Sequence, residues 1–433
     1  MSNLRQQHIT PLETLHTRVI PRQNLKLLSA GFSFFVAGTN DGSMGPLLPY
    51  MLQYYVIDTS LIALIYVVTF MGWVVAAATN SHAPKYFNLG ALLAIGATLQ
   101  LLSQTLRPWK PPFPLFVLTF FFSALGQAYQ DAHCNTFVSS VEGAHRWLGF
   151  IHGMYGFGCL VAPFVATTVA SARVPSVWTL FYIFPLGLSV FNLIFVLFSF
   201  AESVCMIKKD ITSEEIPPSE GTSSAQGTVA RESGRNKSAV EELRQMMKLR
   251  SLWLISLFFF FYLGVGTTAG GWVVQYLVEV RHGKLSKMGY IPSGYYGGLT
   301  IGRLLLAEPT YRFGETRMLL VYTALSLVLQ LIFWLVPNII SSAVVFSIMG
   351  FFLGPFFAAG VSVASRLLPK HIQSAGLGMI FVVAQAGGAI FPSLIGLVAA
   401  KAGVSVLQPI VVALIVIMGI TWYFVPAASD HLE

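Results

Sequence analysis

The sequence reads as an all-α membrane protein with twelve transmembrane helices in two pseudo-symmetric six-helix bundles. Three observations lead there. Of 433 residues, 55% are apolar and only 10% are charged, against about 25% charged in a soluble globular chain. The apolar residues form continuous runs of the length a bilayer requires, about 20 residues each; they do not alternate as barrel strands do. The runs of the second half also repeat those of the first at a constant offset.

The chain begins with a polar stretch, 1–26, that carries Arg5, Arg18, Arg22 and Lys26. The run after it is too long for the apolar region of a signal peptide, so 1–26 reads as a cytosolic tail. Spans are expected at 27–56, 61–79, 87–106, 113–138, 147–171 and 177–200, which make residues 27–200 the first bundle. Residues 201–250 change composition, with Lys208, Lys209, Glu214, Glu215, Pro217 and Pro218 ahead of a Ser/Gly/Thr stretch. This is a flexible cytosolic linker, and Ala239 to Leu249 at its end reads as a short amphipathic surface helix. Six more spans, 252–278, 290–307, 316–336, 341–367, 374–400 and 405–425, make 251–426 the second bundle. Residues 427–433 form a short cytosolic C-terminus. Eighteen Lys and Arg fall on the side of the termini and seven, Arg107 among them, in the opposite loops. That bias places both termini in the cytosol. The plasma membrane is the expected location, with the vacuolar membrane as the alternative.

The repeat is visible residue by residue. Gly149, Gly158 and Pro163 in the fifth span match Gly378, Gly387 and Pro392 in the eleventh, each pair 229 apart. The same offset carries 61–79 onto 290–308 and 113–138 onto 342–367, and Gly42 onto Gly271. Duplicated six-helix units are the layout of transporters with a binding site near the midplane between halves.

Here the chain resembles the major facilitator superfamily. The loop GRLLLAEPTYRFGETR (Gly302 to Arg317) is similar to that superfamily's basic motif after the eighth helix. Its first-half counterpart, WVVAAATNSHAPKYFN (Trp73 to Asn88), is degenerate and lacks the usual Asp-Arg. The stretches GTNDGSMGPLLPYM (Gly38 to Met51), LGFIHGMYGFG (Leu148 to Gly158), GGWVVQYL (Gly270 to Leu277) and RLLPKHIQSAGLG (Arg366 to Gly378) resemble a fungal branch related to the fucose/galactose/glucose:proton symporters. The resemblance implies Arg303 and Glu308 as a structural gate pair, with Arg312, Gly314 and Arg317 completing the motif. A carboxylate- or phosphate-binding Arg303 is the sharper alternative. Gly149, Gly158 and Pro163 also fit the superfamily's antiporter spacing, with Ala162 where a Gly is usual. Ordinary helix packing explains the same residues.

Two carboxylates lie deep in spans, Asp41 in the first and Asp131 in the fourth. Each costs about 2.5–3.5 kcal/mol at a helix centre on insertion scales, so each is a functional candidate by default. Ser123, Gln127, Asp131 and Asn135 recur every four residues and form one polar stripe; Ser33 and Asn40 accompany Asp41. In the symporters this chain resembles, one acidic residue on the first helix and one on the fourth share proton coupling and substrate contact. The resemblance carries those roles to Asp41 and Asp131 jointly. A carboxyl moved from water into a dry cavity favours its neutral form, which suits proton loading on one side and release on the other. His133 and His152 are weaker proton candidates. In the seventh span Thr268, Trp272 and Gln275 offer polar groups to a solute, and Gly270 and Gly271 allow the helix to break.

No G-x-x-x-x-G-K-S/T, H-E-x-x-H or G-x-S-x-G motif appears, and no Cys/His cluster has metal-ligand spacing. No catalytic residue, cofactor, metal, ATP or nucleic-acid partner is therefore expected. The expectation is a monomeric, proton-coupled symporter of a small polar or sugar-like solute, whose partners are that solute, protons and the bilayer. The alternative is proton-antiport efflux of a small organic metabolite.

Overall fold

The computed structural model describes residues 22–80, 82–204, 246–370 and 372–426, and these residues are helical with no strand. The first span comes in two pieces, Gln23–Gly42 and Met44–Tyr55. Thr59–Asn80, Leu89–Leu106, Phe113–Ser139, Ala144–Ala170 and Ile183–Ser199 are the second to sixth. Arg250–Glu279, Ile291–Leu305, Glu315–Leu335, the pair Ile339–Leu353 and Phe356–Leu367, Gln373–Ala402 and Leu407–Tyr423 are the seventh to twelfth. Twelve spans leave Arg22 and Pro426, the ends of the described chain, on one side. Most of the tail and linker, and residues 427–433, lie outside the described residues. Of the expected surface helix at 239–249 only the end is described: Met246 to Lys248 is helical and Met246 is buried.

Among the described residues nine helices are long and apolar enough to cross a membrane on length and composition alone. The remaining spans are the first, fourth and eighth. The first is divided at Ser43, the fourth carries Gln127, Gln130, Asp131, His133 and Asn135, and the eighth has 15 residues. These three spans carry Asp41, Asp131 and Arg303.

On the side away from the termini, Asp58 starts the second span. Its Oδ1 accepts from the Ser60 hydroxyl and from the Ser60 and Leu61 amides, at 3.0 and 3.2 Å for the amides. It thereby satisfies donors that a helix start leaves open. These bonds, the Ser60 hydroxyl first, hold the Asp58 carboxyl below its ordinary pKa.

Lipid supplies no hydrophobic force between helices, so close packing must. A Cβ on Gly38 would strike the backbone of Tyr155, one on Gly42 the backbone of Cys159, and one on Gly158 the carbonyl of Phe35. The first and fifth spans therefore pack backbone to backbone. The second half repeats the contact: a Cβ on Gly387 would strike the Phe260 carbonyl of the seventh span. Phe35 and Phe260 are one helical turn off the 229 register, so the Gly42–Gly271 match is not a packing equivalence. Gly42 faces Cys159, whereas Gly271 faces the Tyr66 hydroxyl.

Gly149, by contrast, has nothing within 4 Å of its would-be Cβ. Gly158→Val is accordingly expected to abolish recovery of folded protein from detergent extracts, while Gly149→Ala elutes as wild type on size-exclusion chromatography. Equal behaviour of the two would overturn the packing role of Gly158.

The halves meet at their outer ends, away from the termini. Thr59 Oγ1 donates to the Gly396 carbonyl at 2.8 Å and Ser393 Oγ to the Ala63 carbonyl at 3.2 Å. The Thr168 and Tyr290 hydroxyls are 3.0 Å apart, and Gly45 packs on the Gly270 carbonyl. Towards the terminal side, Gly149, Gly153 and Gly378 border open space. Contact between the halves continues inward to Gly156 on Thr300 and His152 on Phe357, and the three open glycines lie beyond it.

Candidate functional site

The first span is interrupted at Ser43, two residues after Asp41. Ser43 turns its hydroxyl back onto the Asn40 carbonyl at 2.7 Å, and the helix resumes at Met44. Asn40 and Asp41 lie in the last turn before the break, both partly exposed. Asp41 Oδ2 accepts from Gln127 Nε2 and from the Tyr155 hydroxyl, each at 2.9 Å, and Oδ1 accepts from Asn40 Nδ2 at 3.2 Å. All three donors are uncharged side chains.

A cation stands one residue further back. Asn40 Oδ1 accepts from Arg107 Nη1 at 2.8 Å and from Gln104 Nε2 at 3.2 Å. Arg107 Nε donates to Thr119 Oγ1 at 2.9 Å, and its guanidinium lies 3.9 Å from the Phe120 ring centre and 5.2 Å from that of Tyr182. Arg107 is 0% exposed. The expectation that it belongs to an outer loop is therefore wrong: it closes the third span from inside the bundle. Gln100, Ser103, Gln104 and Arg107 are all buried, and their spacing puts them on one helical face. That pattern, rather than the loop position, is the readable signal.

The polar stripe of the fourth span divides its labour. Gln127 serves Asp41; one turn towards the termini, Asp131 Oδ1 accepts from Asn135 Nδ2 at 3.3 Å. Ser123 is buried. Ser33 belongs to a separate buried chain, donating to Asn192 Oδ1 at 2.9 Å while Asn192 and Gln100 both donate to Gln130 Oε1. It ties four helices of the first bundle together and does not reach Asp41.

The seventh span departs from expectation. It runs unbroken from Arg250 to Glu279. Gly270 and Gly271 make room for the hydroxyls of Tyr296 and Tyr66 instead of breaking the helix. Thr268 and Trp272 are fully buried; Trp272 Nε1 donates to the Pro392 carbonyl at 3.0 Å, and Gln275 is spent on Glu279. Of the three, Trp272 ties the seventh span to the eleventh, Gln275 bonds within its own helix, and the Thr268 hydroxyl is buried. Trp272→Phe, which loses one buried hydrogen bond, is expected to cost about 1 kcal/mol in thermal stability and to leave solute affinity unchanged.

Three tyrosines missing from the sequence reading take their place. Tyr155 binds Asp41 directly, and Tyr296 and Tyr66 stand across Gly270 and Gly271. Of the three, Tyr155 alone bonds the carboxylate; the Tyr66 and Tyr296 hydroxyls, from the second and eighth spans, reach across to the seventh.

The basic loop motif is wired differently from the expected gate. Glu308 pairs with Arg312 one turn along an exposed helix, and Glu315 pairs with Arg366 of the tenth span. Arg303 pairs with neither; its Nη1 reaches the His152 carbonyl at 3.5 Å. The helix ends at Leu305 and a new one starts at Ala307, so Arg303 and Glu308 do not share a helical face. Gly314 adopts φ 92° between two helices, a conformation glycine accepts without strain. Arg317 is exposed at the start of the ninth span, and Pro163 is buried within the fifth. His152 sits between the rings of Phe34 and Phe357, at 5.2 and 5.5 Å, and His133 packs on Tyr129. Among the described residues no group of three His, Cys, Asp or Glu side chains could hold a metal ion.

Comparison with known proteins agrees with this architecture. The family model described as Major Facilitator Superfamily matches residues 30–392. A Saccharomyces cerevisiae relative, "Bypass of stop codon protein 6", is 27% identical over 433 residues, covering 95% of this chain and 84% of the yeast protein. Among solved structures, a D-xylose-proton symporter superposes with TM-score 0.70 at 14% identity, covering 94% of this chain and 98% of that one. A bacterial homolog of the human lysosomal transporter Spinster, inward-facing and unoccupied, gives 0.67 at 12% identity, with 94% and 97% covered. A point mutant of the nucleoside transporter NupG gives 0.67 at 15%, with 92% and 99% covered. At these identities the structural likenesses establish the fold alone.

Proposed function

Because the chain belongs to the Major Facilitator Superfamily and has the fold of a transporter, we propose that it carries a small polar solute together with protons by alternating access. The observation that carries this reading is the setting of Asp41. The carboxylate lies two residues before a helix break and is held only by an amide from each of Gln127 and Asn40 and by the Tyr155 hydroxyl. A guanidinium in direct contact would fix the charged form. Amide and phenol partners can rotate to serve either form, so the group can take up and release a proton as its access changes. Arg107 acts through Asn40, close enough to bias Asp41 and too far to lock it. In this reading Asp41 carries the proton, and Asp131 with Asn135 faces the solute path towards the terminal side.

The export reading gains nothing from the fifth span, since Gly158 is used in packing against the first. The charge bias puts the termini in the cytosol; the plasma membrane is the proposed location and the monomer the proposed unit.

Purified protein in sealed vesicles tests the direction of coupling. Adding solute outside, with a pH indicator in the medium, should make the medium more alkaline as protons enter with solute. Acidification would identify an antiporter, and no proton flux during uptake would end the coupling hypothesis. Sugars, polyols and small organic acids form the first panel.

A further inference from the structure

We infer that Arg303 is the cavity group that binds the solute and that the solute bears a single carboxylate. This rests on the transporter reading above and names the solute class for the same cavity.

The placement is the first ground. Arg303 lies in the last turn of the eighth span, where a long basic side chain ordinarily extends to the membrane surface. Helix side chains lean towards the helix N-terminus, which here is towards the membrane centre. Arg303 follows that lean. Its guanidinium meets the His152 carbonyl and lies against the Tyr262 hydroxyl. Tyr262 is twelve residues into the seventh span, roughly 18 Å along it at 1.5 Å per residue. The backbone at Arg303 is packed against Gly354 of the tenth span, so the side chain is directed to the interface with the other half.

The second ground is the missing counter-charge. Among the described residues, Glu308 is paired with Arg312 and Glu315 with Arg366. Asp41 and Asp131 are held by amides and a phenol on the opposite half. The group Arg303 meets is the backbone carbonyl of His152, and no salt bridge joins it to a described carboxylate. The one hydrogen bond it makes, at 3.5 Å, is at the limit for such a bond. Ionisable residues inside a membrane pair with one another or mark a solute path, and among the described residues this one has no charged partner.

Space is the third ground. Gly153, beside His152, and Gly149, one turn further, border open volume. A carboxylate there could take the planar two-point geometry that a guanidinium offers. The number of charges follows: one cation balances one carboxylate, and a dianion such as a phosphate ester would leave a surplus negative charge facing Asp41 and Asp131.

Carboxylates and their own primary amides differ in charge and little in shape, so they test the inference directly. The probes are gluconate, lactate, shikimate and benzoate with the corresponding amides, read by thermal shift on purified full-length protein. At least one carboxylate is expected to stabilise wild type while its amide does not. Arg303→Gln should weaken that carboxylate roughly 10- to 100-fold, the worth of one charge-assisted contact. Arg303→Lys, which keeps the charge and loses the planar fork, should fall between and guards against misfolding of the glutamine variant.

The inference is overturned if no carboxylate shifts the melting point, if amides bind equally, or if Arg303→Gln binds as wild type. Proton flux separates the two proposals. Neutral solutes that drive Asp41-dependent flux would sink the carboxylate assignment alone. Arg303-dependent carboxylate binding with no proton flux would sink the coupling alone.

Discussion

Asp41→Asn is expected to abolish proton-driven accumulation of solute while leaving exchange across the membrane intact. Asparagine matches the carboxylate in size and can still accept from Gln127 or Tyr155, so the cavity keeps its shape. It has no proton to exchange. A gradient of one pH unit is worth about 1.4 kcal/mol per proton, enough for about tenfold accumulation at a stoichiometry of one. Wild-type vesicles should approach that ratio, and the variant should stop at equal concentrations inside and out. Asp131→Asn is expected to accumulate solute with altered affinity. Normal accumulation by Asp41→Asn would end the assignment of Asp41 as the proton carrier.

Arg107→Met should produce a large loss of stability in the first bundle. The guanidinium donates to Asn40 and Thr119 and stacks on Phe120, all in the protein interior. Hydrogen bonds to charged groups contribute about 1.5–3 kcal/mol each, so removing two of them should cost about 3 kcal/mol or more. Arg107→Lys should recover part of this, because a lysine keeps the charge but cannot reach both acceptors from one plane. Differential scanning fluorimetry of the detergent-purified variants measures it, and a methionine variant melting with wild type would refute the structural role. Since Asn40 orients on both Arg107 and Asp41, the lysine variant should also move the external pH at which uptake is half-maximal.

Much of this molecule was legible in its residues. The spans were, because an apolar run of bilayer length has few alternative structures, and the repeat offset located the second bundle. Asp41, Asp131 and the Gln127 stripe stood out because polar groups are costly in lipid. Other features were hidden for physical reasons. Arg107 follows the last apolar residue of its span, and such a position looks like a loop until Gln100, Ser103 and Gln104 are seen to share its face. Tyr66, Tyr155 and Tyr296 read as packing or interfacial rings, since a tyrosine's hydroxyl declares its role only through its neighbours. The Gly270–Gly271 pair suggested a hinge, but the missing side chains give space to tyrosines from other helices. The real break, at Ser43, follows the carboxylate and not a glycine pair. Within the basic loop, the spacing of Glu308 and Arg312 by four residues on one helix outweighed the expected link from Glu308 to Arg303 across a helix end.

The outer seal has a kinetic meaning. Thr59 and Ser393 close it by donating hydroxyls to the carbonyls of Gly396 and Ala63, which lie within helices. When the halves part, each carbonyl can keep its own helical bond; the Ser393 hydroxyl can swing back to a carbonyl of its own helix, and Thr59, at the start of its helix on the outer side, can turn to water. No polar group is stranded during the movement. Two such bonds are worth about 1–3 kcal/mol together, so the latch favours the closed outer gate by a margin that one bound solute or proton can reverse. A seal made of ion pairs would have held harder and turned over more slowly.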